Sequence, residues 1–440
     1  MFASSVIWLS AALCSLALAL VLAACGDDPA PTPEPLPPTP APATPVPAAA
    51  THTAASQLWR DLPSTSFEYT ILAELDPTGR EAMIENAVET LNEYILGDST
   101  NVDAYVRRGV AYTAMYYYSW PDSDEGFIEQ AMADFAKAID LDPSNANAYI
   151  GRGDAFYRWK QLDRARQEYD TAIQLLSEAI GTNSNDAETY IARAKAYRFR
   201  SDPDKAIQDL DAAIRLAPDN PEAFYIRGHA YAQKGEDGKS IEDYDMVILL
   251  DPNHVHAYNM RGFMHVLADE YDKAIADYET VIRLNSNFRW AYGNRGDVYI
   301  SLGEYDRAIQ DFDGAIAIRP YTVAYRGRAA AYFNKGEYDR AIDDYSTAIS
   351  RNPSHRQTYV DRGDAYYMSS EYNKAIEDYD AAISLDENDA YPHYSRGWAN
   401  LSLGDESKAR TDFNKALELG YDIDEIEAAL AELKKLEDNG

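Results

Sequence analysis

Cysteine is nearly absent from this 440-residue chain, with Cys14 and Cys25 the only two. If the apolar leader described below is removed before Cys25, one thiol remains and no intrachain disulfide can form. Positive charge is also scarce: 40 Lys and Arg face 73 Asp and Glu, for a formal net charge of −33. That excess repels phosphate backbones, so nucleic acid is not an expected partner. No glycine loop of phosphate-binding form occurs, and no nucleophile, base and orienting acid stand at a recognisable spacing. Neither catalysis nor a cofactor is expected.

What the chain has in abundance is repetition. An Arg precedes a small residue nine times, at Arg108-Gly109, Arg152-Gly153, Arg193-Ala194, Arg227-Gly228, Arg261-Gly262, Arg295-Gly296, Arg328-Ala329, Arg362-Gly363 and Arg396-Gly397. Most of these steps are 34 residues apart. Three residues after the small residue comes an aromatic in most copies (Tyr112, Phe156, Tyr197, Tyr231, Tyr299, Tyr332, Tyr366). Later in each copy a small residue such as Ala274 or Ala308 is followed after four positions by a ring or Leu, as at Tyr278 and Phe312. Several copies close on proline, at Pro143, Pro218, Pro252, Pro320 and Pro353.

The pattern resembles the tetratricopeptide repeat, over about residues 102–421. The resemblance implies an all-α fold, a right-handed superhelical solenoid of about nine helical hairpins with a C-terminal capping helix. The residues agree with hairpins, because small residues let two helices approach while rings fill the space between them. A lone hairpin leaves an apolar face uncovered, so the copies must stack.

Each copy also carries an acid one residue before its second-helix ring: Asp134, Glu168, Asp209, Asp243, Asp277, Asp311, Asp344, Asp378 and Asp412. Eight of the nine stand sixteen residues after their Arg; Asp134 is displaced by an insertion. We expect each Arg to form a forked, partly buried ion pair with an acid of its own or an adjoining copy, a geometry that suits planar guanidinium. Two copies are long. The first has about ten extra residues between Tyr112 and Ala131, including Tyr116, Tyr117, Tyr118, Trp120 and Pro121; the second runs about seven residues over, through Leu175 to Ile180. The extra rings are expected to pack over the end of the array, with an exposed binding patch as the alternative.

Outside the repeats, the composition divides the chain further. Residues 1–24 are an apolar segment ending in Leu22-Ala23-Ala24-Cys25, which resembles a bacterial lipoprotein signal with its lipobox. The resemblance implies cleavage before Cys25, lipid on its thiol and amine, and a mature protein tethered to the cell membrane on the extracytoplasmic side. The segment MFASSVIWLS has no Lys or Arg, which departs from the usual basic start; an uncleaved membrane anchor is the competing reading. Residues 25–57 are rich in Pro, Ala and Thr and are read as a stalk of extended polyproline geometry. Residues 58–101 are read as a degenerate helical cap, with Ala87, Leu91 and Tyr94 in second-helix register. Residues 422–440 are read as the C-terminal capping helix, with Asp422 or Asp424 as N-cap and Ile426, Leu430, Leu433 and Leu436 at helical spacing.

Two motifs invite over-reading. Arg-Gly-Asp occurs at 152–154, 295–297 and 362–364, where repeat register accounts for it. His254, His256 and His265 cluster near Asp251, but two fall around a turn and one takes the ring position of a helix, so no metal site is expected.

In the family, first-helix side chains line a concave groove. Carried over by register, the candidate groove comprises Asp154, Tyr157, Arg158, Lys195, Arg198, Phe199, Tyr225, His229, Asn259, Phe263, Trp290, Asn294, Asp297, Phe333, Asn334, Asp361, Asp364, Tyr367, Tyr394 and Trp398. Its rings and amides suit an extended peptide. Arg158, Lys195 and Arg198 form its one basic spot, where an acidic ligand group would dock. Some family members clamp a terminal carboxylate with Lys and Asn on successive first helices, an arrangement this chain lacks. The sequence thus points to a tethered, exported, non-catalytic scaffold for proteins or peptides. An accessory subunit of a cell-envelope enzyme or secretion complex is the alternative, and a carbohydrate-binding module the third option.

Overall fold

A computed structural model of the chain describes residues 77–118, 125–422, 426–427 and 430–431. The apolar leader, Cys25, the stalk, residues 58–76 of the cap, Trp120, Pro121, Asp424, Leu433 and Leu436 lie outside the described residues. Two compact units divide the chain between Ala291 and Tyr292. Among the described residues all regular structure is helical.

The first unit holds α1 (Pro77–Gly97), α2 (Val102–Tyr118), α3 (Glu125–Leu141), α4 (Ala146–Arg158), α5 (Leu162–Thr182), α6 (Ala187–Phe199), α7 (Pro203–Leu216), α8 (Pro221–Gln233), α9 (Asp237–Leu250), α10 (Val255–Leu267) and α11 (Tyr271–Leu284). Helix α12 (Arg289–Ser301) begins at its end. The second unit continues with α13 (Tyr305–Ile318), α14 (Thr322–Lys335), α15 (Tyr338–Arg351), α16 (Arg356–Met368), α17 (Tyr372–Leu385), α18 (Ala390–Ser402) and α19 (Glu406–Glu418). Within each unit, helices packed as hairpins follow one another, and each hairpin packs on the next. This consecutive helix-pair packing is the arrangement of a repeat solenoid.

Local signals start and stop these helices. Asp202, Asn220 and Asp405 cap α7, α8 and α19, accepting from the backbone N–H of Lys205, Glu222 and Lys408 at 3.3, 3.0 and 3.1 Å. Pro203 and Pro221 take the first helical position, where no N–H is required. The turn inside a hairpin needs one residue in left-handed conformation, seven positions after the small residue. Gly235, Gly303, Gly336 and Gly404 supply it with φ of 72–81°, while Lys160, Ser201, Asp269 and Ser370 occupy the same place at 58–65°. Between hairpins, Asp142 and Asp251 precede proline and accept from the N–H two residues on, at 3.0 Å in both.

The seam between helices is built from a ring pressed against missing side chains. A Cβ placed on Gly109 would lie 2.9 Å from Phe135, and one on Gly151 of the next hairpin 2.5 Å from the same ring. Tyr169, Tyr244, Tyr278, Phe312, Tyr379 and Phe413 fill the equivalent place with at most 1% exposure. Burying such a ring contributes roughly 1.5–3 kcal/mol.

Beside each ring runs the Arg and acid series. Arg108, Arg193, Arg227, Arg261, Arg295, Arg328, Arg362 and Arg396 each donate Nε and Nη2 to the two oxygens of Asp134, Asp209, Asp243, Asp277, Asp311, Asp344, Asp378 and Asp412 at 2.6–3.1 Å. Arg152 is the exception, reaching Glu168 through Nη2 alone at 2.8 Å and leaving its Nε buried without an acceptor. The remaining Nη1 turns to the preceding hairpin. It donates from Arg108 to Asn92, from Arg193 to Ser177, from Arg227 to Asp211, from Arg261 to Asp245, from Arg328 to Asp313, from Arg362 to Ser346 and from Arg396 to Asp380. Burial lifts the Asp243 carboxyl above its ordinary range despite the Arg227 bonds, so those bonds offset the cost of burying the carboxylate only in part.

The two long copies resolve into longer helices. The seven extra residues of the second become two added turns of α5, which has 21 residues where α7 has 14. Insertion in the first copy lengthens α2, whose Tyr116 is buried in the adjoining core, while Tyr112 stacks on Phe127 at 6.5 Å. In α1, Ala87 and Leu91 are fully buried, whereas Tyr94 stays 41% exposed and does not join the core. At the other end Ile426 is buried, its N–H donating to the Asp422 carbonyl at 3.1 Å, and Leu430 packs with Tyr421, Tyr394 and Trp398 around Phe413.

Candidate functional site

With Arg, the small residue and the acid taken up by the seam, the other register positions of the first helices form the candidate face. In the first unit α4 presents Tyr157, half exposed, and Arg158, which donates from Nε to Asp154 at 3.1 Å. Asp154 itself is buried. Phe199 at the end of α6 stacks on Tyr169 with centroids 5.1 Å apart and planes 10° from parallel. Arg198 lies beside this stack, and burial pulls its guanidinium down to about 10.

Lys195, Tyr225 and His229 correct the sequence-based groove. The structure buries Lys195, whose ammonium is committed to Glu222 at 2.5 Å. Tyr225 is buried too, its ring edge-on to His229 at 4.7 Å and 5.0 Å from His254. Burial, followed by the Arg198 cation, pushes His229 well below its ordinary value. These rings form an inner wall, and the basic spot narrows to Arg158 and Arg198. Asn259 and Phe263 on α10 are half-buried, and the Arg289 guanidinium covers Trp290 at 4.6 Å.

The histidine cluster has structural work to do. His254 Nδ1 accepts from the Ala257 N–H at 3.1 Å and so caps α10; His265, buried, pairs with Glu270 at 2.6 Å. Among the described residues no group of three or more His, Cys, Asp or Glu is placed to hold a metal ion. All three Arg-Gly-Asp triplets lie inside helices, in α4, α12 and α16.

In the second unit Asn294 is half-buried and Asp297 exposed on α12, and Asn334 is exposed at the end of α14. Phe333 and Tyr367 lie edge-on and tilted to Tyr338 and Tyr372 of their partner helices, at 5.5 and 5.4 Å. On α16, Asp361 accepts from Gln357 at 2.9 Å, and Asp364 accepts from the Tyr379 and Tyr391 hydroxyls at 2.7 and 3.0 Å. Burial pushes Asp364 up to about 7, which neither phenol overcomes. Tyr394 stacks on Tyr421 at 4.3 Å and Trp398 meets Phe413 edge-on at 5.5 Å, so both serve the end of the unit.

Sequence reasoning passed over one cation on this face. Arg326 on α14 holds the register of Tyr225, Asn259 and Tyr394, two residues before the seam Arg, and counting back from Arg328 would have found it. Its Nη1 lies 3.3 Å from His355 Nε2, while His355 Nδ1 lies 2.9 Å from Thr358 Oγ1. Guanidinium can only donate, so Nε2 accepts and the ring carries its hydrogen on Nδ1.

Family models of the tetratricopeptide repeat match residues 144–219, 191–254, 267–322, 322–355 and 390–419, and one described as TPR repeat matches 124–158 and 363–404. Similar solved structures include a tetratricopeptide repeat protein of Parabacteroides merdae, 25% identical, covering 56% of this chain and 98% of that one with a TM-score of 0.45. Yeast Tom70 is 17% identical over 89% of this chain and 96% of its own, with a TM-score of 0.44. A thermophilic TPR protein of Thermus thermophilus is 20% identical over 41% of this chain and 100% of its own, with a TM-score of 0.35. No curated protein matches the chain.

Proposed function

We propose that this chain of tetratricopeptide repeats is a membrane-tethered, non-catalytic scaffold that holds a protein or peptide partner on the face of its first helices. The repeats themselves form a scaffold suited to protein–protein interaction. The observation that carries the reading is a division of labour along each first helix. Seam residues are spent on packing, whereas Tyr157, Asn334, Asp361 and Tyr367 keep rings, amides and carboxylates at accessible or half-buried positions that the seam does not use. Such a mixture grips side chains and meets peptide groups. For the tether, the support is the Leu22-Ala23-Ala24-Cys25 sequence followed by a proline-rich stretch. At about 3.1 Å per residue that stretch would hold the repeats up to about 100 Å from the bilayer, and two acyl chains make the attachment lasting.

The test is in-cell crosslinking of the full chain with its own leader, recovery through a C-terminal tag and identification of partners by mass spectrometry. A partner recovered reproducibly by the natural chain, and lost from a Tyr157→Ala, Asn334→Ala variant that folds normally, is the expected result. Recovery that ignores those substitutions would sink the first-helix face as the site. Fractionation of Cys25→Ser tests the tether: this variant should leave the membrane fraction, and an unchanged distribution would refute lipid attachment there.

A further inference from the structure

The same phenol keeps different company in two hairpins. In the hairpin of α16 and α17, Tyr379 Oη donates to Asp364 at 2.7 Å. At the equivalent place in α4 and α5, Asp154 is turned instead toward Arg158 Nε at 3.1 Å. Tyr169, 1% exposed, is left with a buried hydroxyl that has no hydrogen-bond partner. A buried donor without an acceptor is a cost that folded proteins rarely keep without a use.

The surroundings say what acceptor would suit it. Burial pushes the Tyr169 phenol well up, Asp154 adds to the push, and the cations of Arg158 and Arg198 oppose it; Arg158 reaches Asp154 at 3.1 Å, and the Arg198 guanidinium stands 5.4 Å from the centre of the Phe199 ring. Burial also holds Arg198 down at about 10. Phe199, face to face with Tyr169, walls one side. Two groups that can only donate and a phenol with a spare hydrogen therefore meet on one face of α4, α5 and α6. Lys195 takes no part, being tied to Glu222.

We propose that Arg158, Tyr169 and Arg198 bind a carboxylate side chain of an acidic peptide segment, an assignment that rests on the peptide-scaffold reading above. A carboxylate offers two oxygens to the paired guanidinium groups and an acceptor to the phenol, directly or through one water. The net charge of −33 favours a singly charged carboxylate over a phosphate dianion, which the rest of the chain would repel more strongly.

The purified full chain is probed with an array of random 12-residue peptides, and the strongest binder, dye-labelled, is titrated by fluorescence anisotropy. Binders should share Asp or Glu at one fixed position. Changing that acid to its amide should weaken binding about tenfold, the effect of losing a hydrogen bond to a charged group. The penalty should vanish in Arg198→Met and in Tyr169→Phe. Tyr169→Phe should melt no lower than the natural chain, because the hydroxyl has no partner to lose, and so it remains informative if Arg198→Met misfolds. Binders with no acidic preference, or an amide penalty that persists in Tyr169→Phe, overturn the inference and leave the scaffold reading standing. Tighter binding of a phosphoserine version overturns the choice of carboxylate. An array on which no peptide binds removes the scaffold reading and this proposal together.

Discussion

Arg227 donates from Nη1 to Asp211 of the preceding hairpin at 2.7 Å, while its Nε and Nη2 are held by Asp243 of its own hairpin. One side chain therefore fastens three helices, α7, α8 and α9. Asp243 is 5% exposed and Asp211 is 41% exposed, so the two contacts carry unequal weight. Arg227→Met should lower the local opening free energy by about 2–4 kcal/mol, because it strands a buried carboxylate. Asp211→Ala should cost less than about 1 kcal/mol, as an exposed pair does. Hydrogen exchange of α7 to α9 reads both, and equal losses would contradict the ranking.

Ring against glycine sets how closely two helices approach. A Cβ on Gly262 would stand 2.9 Å from the Tyr278 ring, whereas one on Gly238 in α9 would meet nothing within 4 Å. Gly262→Ala should destabilise by about 1–3 kcal/mol through overpacking. Gly238→Ala should stabilise by about 0.5 kcal/mol through the reduced freedom of the unfolded chain. Thermal denaturation of the pair separates packing from propensity.

Lys160 and Ser370 sit at φ of 58° and 65° where Gly336 and Gly404 sit at 81°. Replacing either by Gly should raise stability by about 1 kcal/mol, the usual left-handed penalty. Gly336→Ala should lose a similar amount. Urea midpoints at a fixed slope would show it, and a Ser370→Gly variant no more stable than the natural chain would disprove the strain.

His355 couples the second unit to acidity. Burial, then the Arg326 cation, lowers its pKa to about 4 from an ordinary 6.5. Between these values the unfolded chain takes up a proton that the folded ring refuses, so stability falls as pH drops from 6.5 toward 4. The loss attributable to this ring should be about 3 kcal/mol by pH 4 for the whole shift, and about half that once solvent screening at this partly exposed ring is allowed for. His355→Gln keeps polar groups toward Arg326 and Thr358 without titrating there. Denaturant titrations at pH 7, 5.5 and 4.5 should give a flatter dependence for this variant, and an unchanged slope would exclude His355 as its source.

Hairpins, seam rings and the bond from each Arg to its acid were legible because both partners recur within one copy. The second acceptor was equally periodic. Asp211, Asp245, Asp313 and Asp380 each stand two residues after a seam acid. Their Arg, however, belongs to the next hairpin, and spacing alone does not say whether that reach closes. It depends on how one hairpin lies on another. The candidate face was legible only as register. Lys195 and Tyr225 occupy the right positions, yet Glu222 across from one and the two imidazoles beside the other draw them inward. Arg326 was missed where the Arg295 to Arg328 interval contracts to 33 residues.

Arg152 breaks the fastening rule in a way that matters mechanically. Sixteen residues before it stands Ala136, which offers no side-chain acceptor, and its Nε is left without one. The hairpin of α2 and α3 is thus held to its successor by Phe135 in the glycine cleft, without the seam-Arg bridge to the preceding hairpin that Arg193 and Arg227 make. In a chain tugged from its amino end, tension would reach this joint next after the one where Arg108 ties the leading hairpin to α1 through Asn92. The leading hairpin would then peel away as a separate block, a mechanical fuse that yields while the hairpins behind it stay folded.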